Sequence, residues 1–162
     1  MSTEVHDYIS VSAKLAQWGI NPPAGFAILP FNLAEARSTT ELRQHAESET
    51  VKKLLRTNNI AYSEVFDADS QPAYLQQYGF EWFGPTLFFT AAALSQNPSV
   101  LSVSLGIVTN YLYDLFKGAK NGTASLDVII EKADGSCKKV NYKGSPEGLA
   151  SVADIVRELG GD

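Results

Sequence analysis

The chain has 162 residues, 44% hydrophobic and 19% charged, with a formal net charge of −5. That length suits one domain with a sizeable core, and the composition excludes wholesale disorder. The acidic balance argues against a broad nucleic-acid surface, and the lone cysteine, Cys137, excludes an internal disulfide and fits a reducing cytoplasm.

The opening MSTEVHDYIS lacks the basic region and apolar run of a secretory signal. Over residues 3–18, Val5, Tyr8, Ile9, Leu15 and Trp18 fall near one helical face, which predicts a first helix stopped by Gly19. Asn21-Pro22-Pro23-Ala24-Gly25 forces an extended connection. Phe26–Leu29 reads as a short buried strand ended by Pro30, and residues 32–46 are polar with some helical character. Ser48–Arg56 predicts a helix capped by Ser48, with Val51, Leu54 and Leu55 on one face and Asn58-Asn59 at its end. Ile60–Phe66 alternates and predicts a strand, Asp67–Ser70 a loop, and Pro72–Tyr78 one or two turns of helix closed by Gly79.

From Ser70 to Tyr113 the only formal charge is Glu81. Exposed faces carry charge, so this stretch is expected inside the protein, against a partner or in lipid. Pro85 suits a first helical turn, predicting a helix to Leu94, with strand as the alternative at Thr86–Thr90. Asn97-Pro98 opens a second helix to Phe116. There Val100, Ser104, Ile107, Tyr111 and Leu115 line one face, and Leu101, Leu105, Val108 and Leu112 the next. This helix is the expected buried spine, and on that placement Ile107→Asp unfolds the protein. Leu126–Glu131 predicts a strand, Asp134-Gly135 a hairpin turn and Cys137–Tyr142 the returning strand. Gly144-Ser145-Pro146-Glu147 opens a last helix with Leu149, Val152, Ile155, Val156 and Leu159 as its apolar stripe. The whole predicts one α+β domain over residues 1–162, a buried apolar helix plus a small, mainly antiparallel sheet with a C-terminal β-hairpin and helix.

Residues 98–159 form a helix–hairpin–helix unit. Its apolar helix ends in Tyr111-Leu112-Tyr113-Asp114-Leu115-Phe116-Lys117-Gly118, and a strand, the D-G turn, a second strand and a short amphipathic helix follow. In this order the unit resembles the effector-associated constant component, a small accessory domain of predicted bacterial conflict and defence systems. The resemblance implies an adaptor or regulator coupled to a separate effector, and not an enzyme. It covers under half the chain, and Lys117 and Lys120 stand where the family often has a strongly basic run.

Several residues are chemical candidates. Asp67 and Asp69 follow a predicted strand, as paired carboxylates do where they hold Mg²⁺, but the position two residues beyond Asp69 is Gln71 rather than threonine. His45 with Glu41 or Glu49 would share a helical face as a general-base pair, and His6 has no neighbour at metal spacing. Cys137 beside Lys138 and Lys139 has cations that favour a thiolate. Lys132, Lys138, Lys139 and Lys143 with Tyr142 offer contacts to phosphates, or lysines guarding an edge strand. Tyr74, Tyr78, Phe80, Trp82 and Phe83 form the densest aromatic cluster, with few charges, which is the composition of an interface anchor and equally of a core. No phosphate-cradling glycine loop, nucleophile elbow or cofactor motif is present.

The leading expectation is therefore a cytoplasmic, non-enzymatic interaction or regulatory subunit of a bacterial assembly, with another protein or a second copy as partner and no nucleic acid. The alternatives are a small metal-dependent enzyme using Asp67 and Asp69, and a membrane-active protein inserting its central apolar helices. A spanning helix needs about 20 apolar residues, and both central segments fall short, so no stable span is expected.

Overall fold

The computed structural model describes residues 2–75, 81–117 and 122–160. In chain order these form β1 (Ser2–Tyr8), α1 (Val11–Gln17), β2 (Ala27–Leu29), β3 (Arg43–His45), α2 (Glu47–Thr57), β4 (Ala73–Leu75), β5 (Glu81–Thr90), α3 (Ala91–Gln96), α4 (Val100–Leu115), β6 (Thr123–Glu131), β7 (Cys137–Gly144) and α5 (Leu149–Gly160). A five-stranded sheet has the order β1-β7-β6-β5-β2, and β3 pairs with β4 apart from it. Only β5 and β6 are parallel neighbours in the large sheet, so it is mainly antiparallel and the α+β expectation stands. Parallel neighbours need a crossover, which α3 and α4 supply. It follows that β1, β5 and β6 run in one direction, and their carboxyl ends at Tyr8, Thr90 and Glu131 share one edge of the sheet.

The sheet is covered on both faces. Strand side chains alternate, so Leu87, Phe89, Val128 and Ile130 meet the core formed with Leu55 of α2, the Leu101-Leu105-Val108-Leu112 stripe of α4 and Leu149, Val152 and Val156 of α5. Phe88 and Ile129 point the other way, into a second core with Val11 and Leu15 of α1 and the loop residues Leu33 and Leu42. Strands buried on both sides read as continuous apolar runs, which accounts for the absence of charge from Trp82 to Thr90.

That burial also overturns the helical reading of Pro85–Leu94. The stretch is the long strand β5, with only Ala91–Gln96 helical. Proline inside a sheet is tolerated at a bulge, and the β5–β6 register shifts between Phe83 and Thr86, across Gly84 and Pro85. Gly84 is required by close approach: a Cβ there would stand 2.8 Å from Leu126 Cδ1 and overlap the Trp82 indole.

The N-terminal expectation also changes. Ser10 Oγ accepts a hydrogen bond from the Ala13 N–H at 3.2 Å, so the helix starts at Val11, and the residues before it pair along β7. This makes β1 the edge strand and places β7 inside the sheet, which corrects the edge role given to the hairpin lysines. The exposed Glu4, His6 and Asp7 of β1 supply the charge that blunts an edge. Ile60–Phe66 forms no strand beyond a bridge from Ser63 to Ala27. It is held to α2 instead, where the buried Lys52 ammonium reaches Glu64 at 3.2 Å and Glu49 at 3.7 Å. Ala73–Leu75 is strand rather than helix, because the Gln44 side chain donates to the Pro72 carbonyl at 2.9 Å and the Ala46 N–H donates to the Leu75 carbonyl.

The predicted hairpin and last helix are present. Gly135 sits at φ 88°, and Asp134 Oδ1 accepts from the Ser136 N–H at 2.9 Å to close the turn. On α4 the sheltered face is Leu101, Leu105, Val108 and Leu112, while Ile107 is half-buried. The face on which Ile107 lies is only partly sheltered: Ser104 is buried and Val100 and Tyr111 pack against the core, while Ile107 keeps some open surface and Leu115 is exposed. Two expectations follow. Leu105→Asp abolishes the cooperative melt, whereas Ile107→Asp keeps one, as read by circular dichroism. Gly84→Ala costs about 1–3 kcal/mol in a urea titration, because Trp82 and Leu126 must give way.

Candidate functional site

The aromatic cluster is divided by the fold. Trp82 is 4% exposed in the core, its ring centroid 6.3 Å from that of Tyr111, with its indole Nε1 unpartnered among the described residues. Phe83 is half-buried and stacks on His45, while Tyr74 is 50% exposed on β4. Tyr78 and Phe80 lie outside the described residues. Of the described members, only Tyr74 presents a largely open side chain.

The hairpin lysines are mostly engaged within the protein. Lys138 pairs with Asp7, Lys143 with Glu81 at 3.1 Å, and Lys139 lies 5.6 Å from the centre of the Tyr8 ring. Lys132 stands apart at the end of β6 and forms no ion pair among the described residues. Asp67 and Asp69 are exposed around a short 3-10 turn, and no group of three or more metal-ligating side chains forms among the described residues. Cys137 is buried opposite Tyr8, and burial pushes its thiol pKa up, away from the reactive thiolate.

His45 is on β3, not on a helix, so it shares no helical face with Glu41 or Glu49. Its ring is sandwiched, with the Phe31 centroid at 4.2 Å and that of Phe83 at 5.5 Å. Nδ1 is buried without a partner among the described residues, beside a cavity of about 70 Å³ that Trp82 also lines. Burial holds the imidazole pKa below its ordinary value, and the Asp127 charge opposes this with a smaller effect.

The largest concavity among those described lies at the shared carboxyl edge of the strands, with a volume of about 1010 Å³. It arises from topology. The chain leaves β1 into α1 on one face of the sheet, and leaves β5 into α3 on the other. Diverging connections open a crevice beyond the strand ends. Thr90 fixes one rim: its Oγ1 donates to the Ala24 carbonyl at 3.2 Å and accepts from the Ala93 N–H at 3.1 Å, tying the Pro22-Pro23-Ala24 segment to the sheet and starting α3. Across from it Ser12 Oγ donates to Glu131 Oε2 at 2.7 Å, joining α1 to the end of β6. Lys132 and Arg157 complete the charged lining. None of these residues has a local motif in the sequence, and only Lys132 was singled out there.

A second groove of about 400 Å³ runs between α4 and α5. Gly106, Asn110 and Tyr113 line it from α4, and Ala150, Asp154 and Arg157 from α5. A Cβ added at Gly106 would meet nothing within 4 Å, so the groove is open there. Beside it the outward face of α4 carries Val103, 45% exposed, and Tyr113, 47% exposed. No formal charge occurs on α4 from Val100 to Tyr113. Among the described residues no helix is long and apolar enough to cross a membrane.

No family model, curated protein or solved structure matches this chain.

The sandwiched imidazole sets a pH dependence. With its folded pKa lowered, the unfolded chain takes up this proton first as the pH falls. The contribution to stability is therefore present above about pH 6.5 and is lost as the pH drops from there through the lowered folded value. The urea midpoint is expected to fall between about pH 7.5 and about pH 5, and His45→Phe, which keeps the stack, flattens that slope. An unchanged slope in the variant assigns the titration to another group.

Proposed function

We propose that the chain is a non-enzymatic accessory subunit that docks another protein, or a second copy of itself, through the outward face of α4 and the adjoining α4–α5 groove. One observation supports this reading above the others. A solvent-facing helix ordinarily carries charge on its open side, and here Val103, Gly106, Asn110 and Tyr113 present apolar or uncharged groups along that side. Depletion of charge with retained aromatic and apolar groups is the composition of an interface centre. Glu147, Asp154 and Asp114 then stand as a polar, acidic rim.

The likeness of residues 98–159 to the effector-associated constant component adds a setting: a regulator within a cytoplasmic bacterial defence assembly, coupled to a separate effector. The helix α4, whose sequence carries this likeness, also presents the uncharged face. An acidic chain with most hairpin lysines already engaged gives nucleic acid little to bind.

The test is a comparison of two forms. Wild type and a Val103→Asp/Tyr113→Asp double variant are expressed in the native host, and each complex is sized by chromatography with light scattering and identified by mass spectrometry. Both sites are exposed, so the variant is expected to melt within a few degrees of wild type. Wild type is expected in an assembly larger than one chain, and the variant as a monomer. A monomeric wild type with no defined companion, or an assembly unchanged in the variant, overturns the proposal.

A further inference from the structure

We propose that the crevice at the carboxyl ends of β5 and β6 is a binding site for a small organic anion that also carries hydroxyl or ammonium donors. This site borders the α4–α5 groove at Arg157 but does not rest on the docking proposal.

The chemistry of the walls defines the class. Lys132 and Arg157 bring two cations to the same concavity. Arg157 is held rather than free: its guanidinium donates to the Pro98 carbonyl at 3.1 Å and to Ser102 Oγ, with Asp154 at 3.6 Å, so it is preset where α5 meets the start of α4. The Lys132 ammonium has no ion pair among the described residues, and its backbone is fixed by the hairpin, where its N–H donates to the Ser136 carbonyl at 2.8 Å. The Asp134 charge across the turn acts on this ammonium from beyond ion-pair distance, so its donors stay open to an anionic group that closes on it. A bare anion is disfavoured by Glu131, which also lines the crevice. Its carboxylate accepts from Ser12 at 2.7 Å and retains lone pairs for a second donor. A ligand with an anion for Lys132 and Arg157 and a hydroxyl or ammonium for Glu131 satisfies both walls. Between them Pro22, Pro23, Ala91 and Ala92 offer an apolar surface for a compact body.

The frame supports a site as well as a space. Strand ends, a buried Thr90 and the Ser12–Glu131 hydrogen bond fix the rims on rigid elements, and the volume is that of a small-molecule pocket.

The experiment is isothermal titration of the full chain with ribose 5-phosphate and with the zwitterion L-norleucine, which separate phosphate from carboxylate as the anion. Inorganic phosphate and neutral ribose serve as controls. Saturable binding of ribose 5-phosphate or norleucine is expected, at least tenfold tighter than either control. Lys132→Ala and Glu131→Gln are each expected to weaken it at least tenfold. Both are partly exposed side chains, and a melt within a few degrees of wild type shows that the variants are folded. Absence of saturable binding by both probes at millimolar concentration overturns the proposal. So does equal binding of inorganic phosphate, or an affinity that neither substitution changes. Loss of assembly in the α4 double variant with this binding intact separates the two readings.

Discussion

The structure depends on β5 being enclosed from both sides. Its Leu87 and Phe89 belong to the core under α2, α4 and α5, and its Phe88 to the core under α1. Every other large element is placed relative to this strand. The helix α4 packs over it, β6 lies parallel beside it because α3 and α4 carry the chain back, and β2 pairs along its far side. The strand gives way at Gly84-Pro85, where the register shifts beside a residue without an N–H and where Gly84, lacking a Cβ, fits against Trp82 and Leu126.

Both candidate surfaces follow from that enclosure. Since α4 spends one face on the sheet, its opposite face must meet water or a companion, and it carries uncharged groups there. Since β5 and β1 release the chain to opposite faces, their shared edge is left uncovered and becomes a crevice lined by Ser12, Glu131, Lys132 and Arg157. Arg157 borders the crevice and the α4–α5 groove alike, so the two are neighbours across one side chain.

Much of the architecture was legible because it is written in short-range patterns. The last third reads largely correctly because strand alternation, an Asp-Gly turn and an amphipathic stripe are local rules that agree with one another there, although Ser145 caps nothing and Pro146 opens a 3-10 turn that runs into α5 at Leu149. The helix at α2 and the strand at β2 were legible too, but α2 begins at Glu47, so Ser48 lies buried inside its first turn and is not its cap. For Pro85–Leu94 the helical reading went astray and the strand alternative at Thr86–Thr90 is the one formed, because a proline at N1 and a proline at a bulge look alike without the neighbouring strand. The N-terminus was misread because β1 buries little and is held by backbone pairing with β7, a distant partner that leaves no periodic trace. The aromatic cluster could not be divided into core and surface, since the same residue types serve both until the packing is known.

By itself the sequence determined that the uncharged segment of an α+β chain seeks shelter, within the protein, against a partner or in lipid, because the cost of burying charge and the benefit of burying apolar surface are properties of the residues alone. It also determined the hairpin and its following helix, through turn chemistry and apolar periodicity that act over a few residues. Tertiary structure decided which side of α4 faces the sheet, which strand is the edge, and that Ser12, Glu131, Lys132 and Arg157 meet at one crevice. Those outcomes depend on the direction and order of strands far apart in the chain, and contacts between distant segments have no local signature.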